Sequence, residues 1–405
     1  MDIQAMFKEI EEGFQTVVEW RRHLHQHPEL SFQEQNTAAF ITDKLTSFGL
    51  EVRTGIGGYG IVAVLKGGEE GKRIALRADF DALPIADEKE VPYKSRYDGV
   101  MHACGHDGHT AALLGTAKVL SRYRDQLKGT IHFIFQPAEE LPPGGAKAMI
   151  EEGILDEVDA VFAIHLATDV PVGKIAVGAG YQMAAVDKFD IVIHGKGGHG
   201  ARPHEAIDSI VIGSEIVGAL QKIVSRRISP LQAGVVTVGQ FHAGSAFNVI
   251  ADTARLEGTV RSFDEGVRDL IEEEIRSIVD GIVSGAHASY SIDYLRGYPA
   301  LFNHKEATEA TRRLLAESFG EDAMMEMEPS MGAEDFAYFL KEKPGTYFKV
   351  GARNEHESTQ YPHHHPKFDF DEQALLIMQK AFIEIVRGYA LLENEGRVNI
   401  NRLIP

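Results

Sequence analysis

The stretch MHACGHDGHTAALLGTAKVL, residues 101–120, lies between two short apolar runs, RIALRADF at 73–80 and GTIHFIFQ at 129–136. Both runs are bounded by glycine, proline or charged residues, which suits buried strands. Between them Leu113, Ala117 and Leu120 recur at helical spacing, so the segment after CGHDGH predicts a helix. Strand, helix, strand is the alternation of an α/β fold. Working outward, GIVAVLKG (60–67) and VDAVFAIH (158–165) read as further strands. Upstream, EEGFQTVVEWRRHLHQHPEL (11–30) predicts a helix that stops near Pro28, because proline bars the residue before it from helical geometry. A second helix follows with Ile41, Leu45 and Phe48 on one face.

The texture changes near Asp187. A strand FDIVIHGKGG, a helix with Ile210, Gly213, Val217, Leu220 and Val224 on one face, strands AGVVTVGQF and TARLEGTVRSF, and a helix with Ile271, Ile275, Ile278 and Ile282 make an α+β unit of common domain size. After SIDYLRGYPAL the α/β texture resumes through EATRRLLAESF, EDFAYFL and GTYFKVGA to a last helix using Leu375, Met378, Phe382 and Ile385. The expected organisation is a discontinuous catalytic domain, 1–186 and 296–405, with a domain inserted at 187–295. A chain of 405 residues exceeds the size at which one core usually keeps growing, which agrees with two domains.

Apolar residues at 44% and charged residues at 25% place the chain among ordinary globular proteins. The formal charge of -19 repels phosphate backbones, so neither nucleic acid nor an anionic membrane surface is an expected partner. The acidic beginning, MDIQAMFKEIEEGF, lacks the basic flank and apolar run of a signal peptide, and no 18-residue apolar segment occurs. A cytoplasmic location is expected. The single cysteine, Cys104, excludes an intramolecular disulfide.

Residues of ligand type sit where strands are predicted to end: Asp79 and Asp81 in RADFDALP, Cys104 and His106, Glu139 and Glu140 in FQPAEE, His165 in FAIHL, and His364 in PHHHP. Open α/β sheets place their sites there. An isolated Asp-x-Asp or Glu-Glu is commonly a solvated loop, and a lone histidine commonly a core residue. Together, thiol, imidazole and carboxylate are what a zinc-like cation takes. A pair of cations about 3.5–4 Å apart binds an attacking water and the oxygen of the reacting group together. Two adjacent glutamates suit a division in which one binds metal and the other carries the proton. A cysteine nucleophile is the competing reading of Cys104.

RRHLHQHPELSFQE, LRADFDALPI, MHACGHDGHT, FQPAEE, GKGGHGARPHEAID, FNVIADTARLEGTVRS, MGAEDFAYF and HHHPKFDFDEQAL resemble, in order and over nearly the whole chain, the bacterial N-acyl-amino-acid amidohydrolases. That group comprises aminoacylases, hippurate hydrolases, N-acetyldiaminopimelate deacetylases and auxin-conjugate hydrolases, within the dinuclear metallopeptidases. The resemblance implies a zinc-peptidase-like catalytic domain with an inserted lid or dimerisation domain. It also implies two divalent cations (Zn, Mn, Co or Ni) on Cys104, His106, Glu140, His165 and His364, and Glu139 as general acid and base.

By the same resemblance Asp81 orients a ligand or tunes the metal. His199 reaches the substrate carbonyl, from its own subunit or from the neighbour in a homodimer, and Asn248 and Arg261 hold the substrate. The implied substrate is a small N-acyl amino acid or dipeptide, with N-acetyldiaminopimelate deacetylase and dipeptidase as close alternatives and a non-catalytic metal-binding relative as the alternative of another class. Asp79 carries no implied ligand role, His109 is expected on the helix surface, and His363 and His365 rank below His364. Glu334 and Asp335 either support the site or cap a helix.

Overall fold

The computed structural model describes residues 2–391; Met1 and residues 392–405, at the two ends of the expected catalytic domain, lie outside the described residues. The chain divides into two compact units. One comprises Met1–Gln182, Phe302–Glu328 and Asp335–Pro405, the other Met183–Leu301 and Pro329–Glu334. The short segment 329–334 joins the second unit through the Ala184 amide, which donates to Gly332 O at 2.8 Å.

In the first unit eight strands run in the order Glu51–Ile56, Gly60–Lys66, Lys128–Gln136, Glu69–Asp79, Ala160–Pro171, Gly345–Arg353, Ile175–Val177 and Met324–Glu326. The four in the middle, from Lys128–Gln136 to Gly345–Arg353, are mutually parallel. Antiparallel neighbours flank them on each side. Parallel strands are covered on both faces and so read as continuous apolar runs, which is why RIALRADF and GTIHFIFQ were visible as strands.

Helices Ile3–Gln26, His106–Arg122 and Gln373–Leu391 pack on one another, and the latter two on this sheet. Asp2 caps the first by accepting from the Ala5 amide at 3.0 Å, and it ends at Gln26, two residues before Pro28. The last buries Leu375, Met378, Phe382 and Ile385, the face its spacing predicts. His106–Arg122 is enclosed nearly all round. Its entry turns at Gly105, φ +95°, a left-handed conformation that glycine adopts without steric cost. At Gly108 a Cβ would stand 2.5 Å from Leu166 Cδ1 and 2.7 Å from Phe370 Cζ; no larger residue lets the helix start approach that strand so closely.

The second unit is a four-stranded antiparallel sheet ordered Gly234–Ala243, Thr253–Ser262, Ala185–His194, Ser289–Arg296. Helices Ser209–Lys222 and Glu265–Gly285 pack against it. The buried stripe of the first is Ile212, Ile216 and Leu220, continuing to Ile223, while Ile210 and Val224 are exposed. The expected face is therefore rotated: Ile210, Val211, Ile212, Ile216 and Val217 surround most of the helix, and spacing alone cannot fix its phase. In the second helix Val267, Ile271, Ile275, Val279 and Val283 are buried, with Ile278 and Ile282 flanking them.

Arg21 ties the first unit together. Fully buried, it donates to Asp107 (2.9 Å), Asp369 (2.8 Å) and Glu372 (3.1 Å), and its guanidinium lies over the rings of Tyr93 and Phe370. One side chain thus joins the first helix, the start of His106–Arg122 and the approach to the last helix. Replacing Arg21 by Leu removes the cation shared by three carboxylates and leaves Asp107 to His25, Asp369 to Tyr93 and Glu372 to Arg22; breaking a buried pair of this kind costs about 3–5 kcal/mol, and urea unfolding of Arg21→Leu is expected to show a loss in that range.

Candidate metal centre

The parallel strands deliver the ligand-type residues to one place. Glu69–Asp79 ends at Asp79 and leads to Asp81, and Lys128–Gln136 leads through Pro137 and Ala138 to Glu139 and Glu140. His106 opens its helix two residues after Cys104. His165 departs from expectation: it sits inside a strand that runs to Pro171, because Gly345–Arg353 continues the pairing beyond it, with Lys349 opposite His165.

Three sets of ligand atoms, each within 4.8 Å of one another, overlap here: Cys104, His106 and His165; Cys104, Glu140 and His364; His106, Glu139 and Glu140. Cys104 Sγ is 3.6 Å from His165 Nε2. His106 Nε2 is 3.8 Å from Glu140 Oε1 and 3.9 Å from Glu139 Oε2, and His364 Nε2 is 3.4 Å from Glu140 Oε1. All five expected ligands are brought together.

Neighbouring groups aim them. His106 Nδ1 lies 3.2 Å from Asp81 Oδ1 and 3.0 Å from Asp81 O; both are acceptors, so Nδ1 keeps its proton and Nε2 is the nitrogen that would give a lone pair to a cation once its own proton leaves. Asp81 is itself held by the Ser31 hydroxyl (2.7 Å) and the Glu140 amide (3.0 Å). His165 Nδ1 donates to Leu166 O at 2.6 Å, leaving Nε2 for Cys104's side. The His364 amide donates to Ala103 O at 2.8 Å, and His364 stands at φ +65°.

The electrostatics favour a cation. Burial first, then the charges of Glu140, Glu139 and Asp79, push the Cys104 thiol well above its ordinary range. A nucleophilic cysteine requires the opposite shift, so the competing reading of Cys104 loses its footing. Burial opposes charge on His106, yet Asp79, Asp81 and Glu140 raise it to about 10. A proton stands where positive charge is wanted. His106 Nε2 and Glu140 Oε1 are buried without a hydrogen-bond partner, and a thiol, imidazoles and carboxylates are the donors a zinc-like cation prefers. The residues fit such an ion.

Residues 75–388 match the model of peptidase family M20/M25/M40. The chain belongs to the M20/M25/M40 peptidase family. Among its relatives is YhaA of Bacillus subtilis (strain 168), to which an amidohydrolase activity is ascribed, 52% identical over 94% of this chain and 97% of that protein. The N-acyl-L-amino acid amidohydrolase of Geobacillus stearothermophilus is 49% identical over 72% of this chain and 78% of its own. The structure of YXEP from Bacillus subtilis, described as a dinuclear metal binding peptidase from the M20 family, superposes with a TM-score of 0.79 at 37% identity, covering 93% of this chain and 98% of that one. These similarities make this M20 chain a hydrolase of the amidohydrolase kind.

Around this M20 site sequence reasoning misses His109 and Glu34 and leaves Glu334 and Asp335 between two roles. His109, expected on the helix surface, is buried. Its Nδ1 is 2.6 Å from Asp79 Oδ1 and its Nε2 accepts the Leu166 amide at 2.9 Å. Both nitrogens are occupied, which fixes the Nδ1–H tautomer and clamps the backbone beside His165. The other oxygen of Asp79 takes Arg77 at 2.6 Å. Asp335 precedes helix Phe336–Glu342 without capping it; its carboxylate accepts from Arg77 (3.0 Å), Gln136 (2.8 Å) and the Ala146 amide (3.1 Å). Glu334 belongs to the second unit. Glu34 reaches the Ala138 amide at 2.8 Å and so holds Ala138 at φ +54°, just before the glutamate pair.

His199, Asn248 and Arg261 lie in the second unit. His199 pairs with Val249, and the Gly200 amide donates to Asn248 O at 2.8 Å, so His199 and Asn248 line one open cavity of about 620 Å³. Arg261 donates to Met331 O (3.2 Å), Val260 O (3.0 Å) and the Thr259 hydroxyl. Among the described residues no helix is long and apolar enough to cross a membrane.

Two predictions follow from the charges. Cation uptake displaces the His106 and Cys104 protons, so Zn(II) affinity is expected to keep rising with pH through neutrality toward about pH 10 rather than level off near the ordinary histidine range; titration calorimetry in buffers of different ionisation enthalpy reads the released protons. Burial and then Asp81 raise the Glu34 carboxyl to about 7. The folded protein therefore keeps a proton there that the unfolded chain sheds from about pH 4.5. That contribution to stability is full below pH 4.5 and is lost as pH rises through about 7. Glu34→Gln, which does not titrate, is expected to gain on the order of 2–3 kcal/mol relative to wild type between about pH 5 and pH 8 in urea unfolding with chelator present.

Proposed function

We propose that the chain hydrolyses the amide bond of N-acyl amino acids, with two divalent cations among Cys104, His106, Glu140, His165 and His364 and with Glu139 as the proton carrier. The observation that carries this reading is the adjacent pair at the end of Lys128–Gln136. Glu140 lies among imidazole and thiol donors, while Glu139, 6% exposed, places Oε2 3.9 Å from His106 Nε2. A binding protein needs ligands; only a hydrolase uses a second carboxylate as a base beside them.

When bound, divalent cations polarise the acyl carbonyl and acidify a water toward neutrality. Glu139 takes a proton from the attacking water and returns it to the departing amine, releasing a carboxylic acid and an amino acid. Asp81 keeps the proton on His106 Nδ1 and so preserves the donor lone pair on Nε2. The donor set admits Zn, Mn, Co or Ni. The relative from Geobacillus stearothermophilus supports the substrate class, and the dinuclear YXEP peptidase supports two ions. His199, Asn248 and Arg261 are proposed to contact substrate from the second unit.

Homodimerisation through the second unit belongs to the same reading and is supported by Val211, Leu231 and Phe247, large apolar side chains that it leaves exposed. A cytoplasmic site of action is supported by a lone thiol placed among metal-ligand donors. The test pairs metal content with a panel of N-acetyl, N-benzoyl and dipeptide substrates, comparing wild type with Glu139→Gln. The variant is expected to hold the same ions, about two per chain, and to lose about 10²–10⁴-fold in kcat. An active Glu139→Gln, or a wild type that takes up no transition metal, overturns the proposal.

A further inference from the structure

Three histidines in a row, His363, His364 and His365, meet three different environments. His365 stacks on Tyr361 with centroids 4.5 Å apart, and its Nδ1 accepts the Lys367 amide at 3.0 Å. His364 faces Glu140. His363 turns the other way, with Nδ1 3.5 Å from Cys104 Sγ and its ring packed on His165 and Phe368 at 5.2 and 5.0 Å between centroids. The left-handed backbone at His364 and its bond to Ala103 O separate the two side chains and fasten the loop beside Cys104.

Cys104 belongs to two of the ligand clusters, whereas among the described residues His363 belongs to none. It meets the sulfur from outside the ligand set. A thiolate has no proton to give and only accepts, so the tautomer that suits an imidazole at this distance carries its proton on Nδ1. Sulfur bound to a cation keeps lone-pair density for such a contact, and partners outside the ligand shell govern how strongly a ligand donates.

We propose that His363 is a positioning residue that donates a hydrogen bond from Nδ1–H to the Cys104 sulfur when that sulfur binds metal as a thiolate. The inference rests on the ligand role proposed for Cys104. The bond draws electron density from sulfur, weakens its donation to the cation and leaves the cation a stronger Lewis acid. It also stabilises the thiolate against the carboxylates around it, which favours metal uptake.

Cobalt(II) reads both effects without reference to turnover, through the sulfur-to-cobalt charge-transfer absorption of the full-length protein and through a binding titration. In His363→Leu the sulfur lone pair rises in energy, so the band is expected to move to longer wavelength, with cobalt bound about 10–100-fold more weakly and the number of ions unchanged. His363→Gln, which keeps an N–H donor, is expected to restore most of both. His363→Met, of similar length and without a donor, replaces the leucine variant if that one does not fold. A band unmoved in the apolar variants overturns the hydrogen bond. Loss of one cobalt per chain overturns it in favour of direct ligation. A wild type that binds cobalt but shows no sulfur-to-cobalt band instead removes Cys104 from the ligand set, and the inference falls with it.

Discussion

Asp79, Asp81, Glu139 and Glu140 converge on one buried imidazole, His106, at separations of 3.2 to 3.9 Å. Negative charge packed this tightly away from water is held only where something positive offsets it. The fold supplies part of the offset: Arg77 serves Asp79, and amide and hydroxyl donors serve Asp81. What is left over raises His106 and the Cys104 thiol together. The arrangement of strand ends, the glycine-led entry of the His106 helix and the Asp81 bond all follow from assembling these groups around a cation's place.

Much of this was legible in the residues. The central strands announced themselves because a parallel strand covered on both faces is an unbroken apolar run. The final helix did so because Leu375, Met378, Phe382 and Ile385 recur at helical spacing, and all four are buried. The helix Ser209–Lys222 was misread in phase, since a helix apolar nearly all round has no single preferred face. Cys104, His106, Glu140, His165 and His364 were found by chemistry and order along the chain, and each lies within a ligand cluster.

What escaped was the supporting layer. His109 and Glu34 act through backbone amides and through partners far away in sequence, Glu34 meeting Ala138 across 104 positions; Asp335, left open between support and cap, meets Arg77 across 258. Nothing local marks such contacts. A buried histidine one helical turn after a ligand looks the same in sequence as an exposed one, and an acidic residue before a short helix looks like a cap even when its carboxylate is turned inward.

The discontinuity of the first unit sets an order of assembly. Ala160–Pro171 pairs with Gly345–Arg353, and Arg21 finds Asp369 and Glu372, across a span that contains the whole second unit. During synthesis the second unit, whose sheet and helices all lie within Met183–Leu301, has its strands and helices before the first unit has all of its own. The nascent first unit must wait with an unclosed sheet edge and four of its five proposed ligands, since His364 follows the second unit. High contact order of this kind slows folding and lengthens the exposure of unpaired strands. The early ligands Cys104, His106, Glu140 and His165 therefore lack their fifth partner through that interval, so the centre closes only after His364 has joined them.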